Sequence, residues 1–312
     1  MTRAHFAAFV AGVRCLLVMM ALVVPAVASA GAKSTKKNVG AKSVGKSAKS
    51  VGKSANAKPA RDYPWCAPEV EALSGDTCYI DGAKRGSNKR TLVVFLHGAI
   101  AKHTDWSWTQ ERALLRQAKA AGFEAIFPRA PDNGVGYTWP GGPDRQKLYE
   151  DALITGWKRS IAALEKKRGA RYDEVFVMGF SSGAYYVSSL VQRGRLDGTR
   201  AHGVAFHADG FATFAGGSIG HQRSASAPKV PVYVGICSAD RQTVEHSRGF
   251  AGELATRGFP SRAEEQPVGH MFADSHVLRA VKFLREKNAS GARASLDVSD
   301  EDEAPASTVD VD

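Results

Sequence analysis

The pentapeptide Gly179-Phe180-Ser181-Ser182-Gly183 has the clearest chemical potential in the chain. It follows the β-branched and aromatic run 174–178 and precedes a helical stretch, 184–192. A serine between a strand and a helix can be presented on a turn so sharp that its hydroxyl projects freely. Such a turn leaves no room for bulk two residues before or after the serine, so Gly179 and Gly183 select Ser181. Ser182 would need glycine where the chain has Phe180 and Ala184. A serine hydroxyl is a weak nucleophile until a base takes its proton. His270, in Val268-Gly269-His270-Met271 after the expected strand 265–268, is the candidate base. Asp240, in Cys237-Ser238-Ala239-Asp240 after the expected strand 230–236, is the candidate acid that orients it. Asp209 is the alternative acid. His276 is the alternative base, but it falls inside the last expected helix. Oxyanion charge would meet the backbone N–H of Ser182 and that of Ala99, in the loop His97-Gly98-Ala99-Ile100.

Strands must carry these residues to one edge. Runs at 91–96, 124–128, 174–178, 203–206, 230–236 and 265–268 alternate with helical patterns at 108–121, 148–167, 184–192, 248–257 and 275–285. This alternation predicts an α/β fold, a mostly parallel sheet with helices on both faces. Residues 78–80 can add an antiparallel edge strand. Between 206 and 230 there is no long helical pattern, so no large cap domain is expected over the site.

The ends of the chain differ from its middle. Residues 1–30 read as a Sec-type signal peptide, with Arg3 and Arg14, an apolar run at 15–27 and Ala28-Ser29-Ala30. That predicts a secreted or periplasmic protein. Residues 31–61 hold eight lysines, Arg61 and no acid, and repeat the heptapeptide AKSVGKS at 41–47 and 48–54. This composition predicts a disordered linker, with contact to an anionic envelope as its possible use. The linker carries nine of the eleven excess positive charges and residues 1–30 the other two, leaving 62–312 neutral overall. The basic balance is therefore no argument for nucleic-acid binding. The folded domain is expected over 62–290 and a disordered acidic tail over 291–312.

In an exported chain, Cys66 and Cys78 are expected to form a disulfide around a short helical stretch, 68–73. Cys237 is expected to be a buried core residue. No Cys/His spacing suggests a zinc site, and neither metal nor cofactor is expected. Tyr137, Trp139, Trp106 and Trp108 fall in or beside loops near the expected mouth; the first three are candidate substrate contacts.

Taken in order, His97-Gly98, Phe127-Pro128-Arg129-Ala130-Pro131, the serine pentapeptide, Asp240 and Gly269-His270 resemble the compact lidless esterases of the α/β-hydrolase superfamily. These include phospholipase/carboxylesterase, dienelactone-hydrolase-like, polyhydroxybutyrate-depolymerase-like and feruloyl-esterase-like proteins. The resemblance covers about residues 90–287. It implies an α/β-hydrolase fold and cofactor-free cleavage of a small-molecule or polymeric ester by the same triad. The chain departs from depolymerase-like members at Ala99-Ile100 and Ala184, where further glycine is usual. Thioester or peptide cleavage would use the same machinery, and a non-catalytic surface-binding module is the rival from another class. A monomer is expected.

Overall fold

Continuous apolar runs make the centre of the sheet. The computed structural model describes residues 63–299, except 75, 84–88, 197–206, 221–222 and 226, and omits the side chains of 291–299. The expected signal peptide, linker and strand 203–206 lie outside the described residues.

The strands are β1 (Glu71–Ser74), β2 (Thr77–Asp81), β3 (Thr91–Leu96), β4 (Ile100–Ala101), β5 (Glu124–Pro128), β6 (Gly136–Tyr137), β7 (Glu174–Phe180), β8 (Gly210–Phe214), β9 (Val232–Cys237) and β10 (Ser261–Gln266). The helices are α1 (Trp106–Ala121), α2 (Pro143–Arg168), α3 (Ser182–Arg193), α4 (Val244–Thr256) and α5 (Asp274–Ser299). Eight strands form one sheet in the order β1-β2-β5-β3-β7-β8-β9-β10, and β4 pairs separately with β6. From β5 to β10 every neighbour is parallel, while β2 joins β5 and β1 joins β2 antiparallel. The mixed sheet with its crossover helices has the α/β-hydrolase architecture.

Every residue of β3 is buried, as expected for a strand covered on both faces. Its side chains divide between two cores. Leu92, Val94 and Leu96 pack with α2, α3 and α4. Val93 and Phe95 pack with α1 and α5. Crossovers between parallel strands thus clothe both faces, and the strand ends converge on one edge.

Four expectations need correction. Residues 68–73 are a turn followed by β1, because a six-residue helix has too few internal hydrogen bonds to compete with pairing onto β2 (Glu71↔Tyr79, Ala72↔Cys78). β2 is consequently not the sheet edge. A strand, β8, occupies the glycine-rich stretch after 206; Gly210 opens it because a Cβ there would lie 2.7 Å from Leu284 Cδ2 of α5. β10 ends at Gln266 rather than Val268, and its exposed, charged sequence is that of a sheet edge. Finally, α5 runs to Ser299, well past the 275–285 expected for the last helix, through a stretch rich in good helix formers.

Cys66 and Cys78 are joined, with Cα atoms 5.5 Å apart, and Cys237 is free and buried. The bridge ties the first described turns to β2.

Candidate active site

Ser181 links β7 to α3 at φ 53°, ψ −117°, a conformation rare for a residue with a side chain. Its N–H donates to Phe214 O of β8 at 3.0 Å, which fixes the turn from below. A Cβ on Gly179 would overlap the Gly183 carbonyl, and a Cβ on Gly183 would overlap the Leu96 carbonyl of β3. The two glycines are therefore steric requirements of the crossing. The strained serine is held by packing on both sides.

His270 Nε2 lies 2.8 Å from Ser181 Oγ, and His270 Nδ1 lies 2.6 Å from Asp240 Oδ2. An ionised carboxylate only accepts hydrogen bonds, so Nδ1 carries the ring proton and Nε2 is left to accept from the serine hydroxyl. Asp240 is 5% exposed. Burial pushes its carboxyl up, but hydrogen bonds from Thr243 Oγ1, His270 and the Gln242 N–H outweigh burial and hold it below the usual range. Asp240 is thus kept charged in a place where charge is costly.

The acid and base loops are fastened to each other. Ser238 N–H donates to Gln266 O at 2.8 Å, Ala239 N–H to Val268 O at 3.1 Å, and the Cys237 thiol to Met271 O at 3.0 Å. These bonds hold His270 in place although it lies beyond the end of β10.

The loop after β3 completes the arrangement. His97 is fully buried and burial pushes its imidazole down to about 4, so it is neutral. Its Nδ1–H donates to Gly98 O at 2.5 Å, and its Nε2 accepts Ala130 N–H at 3.0 Å. The Gly98 N–H is occupied by Gln110 Oε1 at 2.9 Å. A Cβ on Gly98 would lie 2.9 Å from the Phe180 ring and 3.3 Å from Ser181 Cβ, so glycine allows the loop to approach the serine. Among the described residues, the N–H groups of Ala99 and Ser182 are engaged by no backbone or side-chain acceptor. Ser182 also opens α3, where the helix dipole favours negative charge. Its hydroxyl is directed at His97 O, 3.5 Å away. The geometry thus brings together a serine hydroxyl, an imidazole nitrogen able to accept its proton, a charged carboxylate and two uncommitted N–H donors.

The alternatives stand elsewhere. Asp209 accepts the Val175 N–H and pairs with His207. His276 is buried against Phe214 and Tyr233. Of the expected substrate contacts, Trp139 is 3% exposed and donates its indole N–H to His97 O at 2.9 Å; it supports the loop from beneath. Tyr137 lines a separate 300 Å³ pocket with Trp65 and Lys102, and Trp106 projects from the start of α1, 55% exposed. None of the three lines the cleft of 640 Å³ beside His270, whose apolar wall is Ala113, Phe180, Val268, Met271 and Phe272. Four of those five neighbour Ser181 or His270 in sequence, and that adjacency was the available signal.

No family model matches the chain, and no curated protein matches it in sequence. It is similar to several solved structures. YahD with malic acid shares 17% identity at a TM-score of 0.48, with 68% of this chain and 98% of that one covered. A Bacillus cereus carboxylesterase shares 14% at 0.46, covering 67% and 93%. Zea mays acyl-protein thioesterase 2 shares 17% at 0.39, covering 68% and 97%.

Proposed function

We propose that this chain is an exported serine hydrolase that cleaves carboxylic esters through an acyl-enzyme on Ser181. The observation that carries this reading is the continuous Ser181–His270–Asp240 hydrogen-bonded chain. As Ser181 Oγ attacks the ester carbonyl, its proton passes to His270 Nε2, and Asp240 stabilises the resulting imidazolium. Charge on the carbonyl oxygen is met by the N–H groups of Ser182 and Ala99, each worth roughly 3–4 kcal/mol of transition-state stabilisation. The C–O bond then breaks, His270 returns the proton to the departing alcohol, and water repeats the sequence on the acyl-enzyme. Export is supported by the signal-like residues 1–30 and by the Cys66–Cys78 bridge, which suits an oxidising compartment.

The test is a fluorophosphonate probe together with a panel of p-nitrophenyl esters. The wild-type protein becomes labelled once, on Ser181, and loses ester turnover in proportion. Ser181→Ala abolishes labelling and lowers kcat by roughly four orders of magnitude or more. Ser182→Ala keeps most of its turnover, because alanine retains the backbone N–H. Labelling of a folded Ser181→Ala protein at Ser182 would overturn the assignment.

A further inference from the structure

A second polar pair stands near Ser181, among residues that do not line the apolar cleft. Tyr185 lies one helical turn along α3 and donates its N–H to Ser181 O at 3.2 Å. Its ring packs on Gly216, where a Cβ would lie 3.0 Å from Tyr185 Cε2 and 3.4 Å from Ser181 O. Its hydroxyl is 2.8 Å from His246 Nδ1, in the first turn of α4, and both side chains are half-buried. The facing loop is fixed: Gly216 N–H donates to Ser247 Oγ at 3.0 Å and Ser218 N–H to Ser188 Oγ at 2.7 Å.

Proton accounting shows what such a pair offers. If the phenol donates to Nδ1, neutral His246 carries its proton on Nε2 and that N–H is left over. If Nδ1–H donates instead, the phenolic hydrogen is left over. Either way one donor has no partner within the pair. Burial, and after it the charge of Asp240, pushes the Tyr185 phenol up to about 12, so it stays protonated at neutral pH.

The two sides of the serine then have different tasks. His270 must return a proton to the leaving atom, so the leaving group lies on its side, against Phe180, Val268, Met271 and Phe272. The acyl chain leaves the carbonyl in a different direction, and α3, which carries Tyr185, begins at the residue after Ser181. On the proposed hydrolase reading, the geometry points to Tyr185 and His246 as the specificity pair for an acyl chain that carries an oxygen hydrogen-bond acceptor.

The experiment compares two p-nitrophenyl esters of matched shape, the 4-oxopentanoate and the 4-methylpentanoate, on the full mature protein. The wild type favours the oxo ester in kcat/KM by about tenfold, the value of one hydrogen bond gained. Combining Tyr185→Phe with His246→Leu collapses that ratio toward one, and the single variants divide the effect according to which group donates. Melting temperature and near-ultraviolet circular dichroism check the fold; Tyr185→Phe, which removes one atom, reads the ratio should the double variant not fold. A wild-type ratio near one, or a ratio unchanged in the folded double variant, overturns the inference while leaving the hydrolase reading intact. If the wild type cleaves neither ester, the hydrolase reading fails and this inference with it.

Discussion

Two buried carboxyl groups in this molecule are treated in opposite ways. Asp240, at the candidate site, receives three hydrogen bonds and is held charged. Glu111, on α1 behind the disulfide, receives among the described residues the Ala67 N–H alone, at 2.7 Å, while the Cys78 sulfur lies 3.7 Å from its other oxygen. Burial, aided by Glu69, pushes Glu111 up to about 7 against the Ala67 bond and Arg112. Protonation therefore follows from two quantities together, the depth of burial, which is greater around Glu111, and the number of donors, which is greater around Asp240. The molecule concentrates donors where the proposed chemistry needs a charge.

The most severe way to break this contrast is Asp240→Asn. Its amide N–H would donate to Nδ1, driving the ring proton to Nε2, where it blocks acceptance from Ser181. A folded protein with kcat reduced roughly 10³–10⁴-fold is the expected result in steady-state ester assays. At the other region, replacing Cys66 and Cys78 together by alanine removes a cross-link spanning 12 positions. Calorimetry should show a loss of about 3 kcal/mol, with turnover at low temperature largely preserved because the bridge contributes nothing to the triad.

Glu111→Gln sharpens the comparison through pH. Between the unfolded value of 4.5 and the folded value of about 7, the folded protein holds a proton that the unfolded chain has released. Glu111 thus supports stability below pH 4.5, and that support is lost as pH rises through 7. The glutamine variant should lack this decline and be more stable above pH 7 by roughly 3 kcal/mol in urea titrations. His97 and His276, both pushed down to about 4 by burial, act with the opposite sign, destabilising the fold as pH falls from 6.5 toward 4. The difference between variant and wild type therefore isolates Glu111. The smallest effect belongs to Thr243→Val, which takes one donor from Asp240. Its expected cost is about tenfold in kcat, with little change in melting temperature. An unchanged kcat would mean that two donors suffice.

How much of this was legible in the sequence depends on how local each constraint is. Gly179 and Gly183 are dictated by overlaps within the turn and with β3, so their spacing selects Ser181 over Ser182. Asp240 and His270 are legible because each follows a strand-like run, although β10 itself ends at Gln266. β8 was hidden because its opening glycine answers to Leu284, distant in sequence, and β10 because an edge strand carries polar residues. Trp139 looks like any loop tryptophan until the loop it supports is seen around it. The Tyr185–His246 pair, 61 positions apart, has no local pattern at all.

The ties between the Asp240 and His270 loops carry a kinetic consequence. Ser181 and His270 are separated by 89 positions, and between them β8, β9 and β10 must dock in parallel, each after a crossover. Long-range parallel pairing is slow because loop-closure entropy is spent before contacts repay it. The turn at Ser181 can form early between β3 and β7, yet His270 reaches it only once β10 has docked. On the proposed hydrolase reading, recovery of ester turnover during refolding should therefore lag behind recovery of helical signal, and the delay would time the docking of β10.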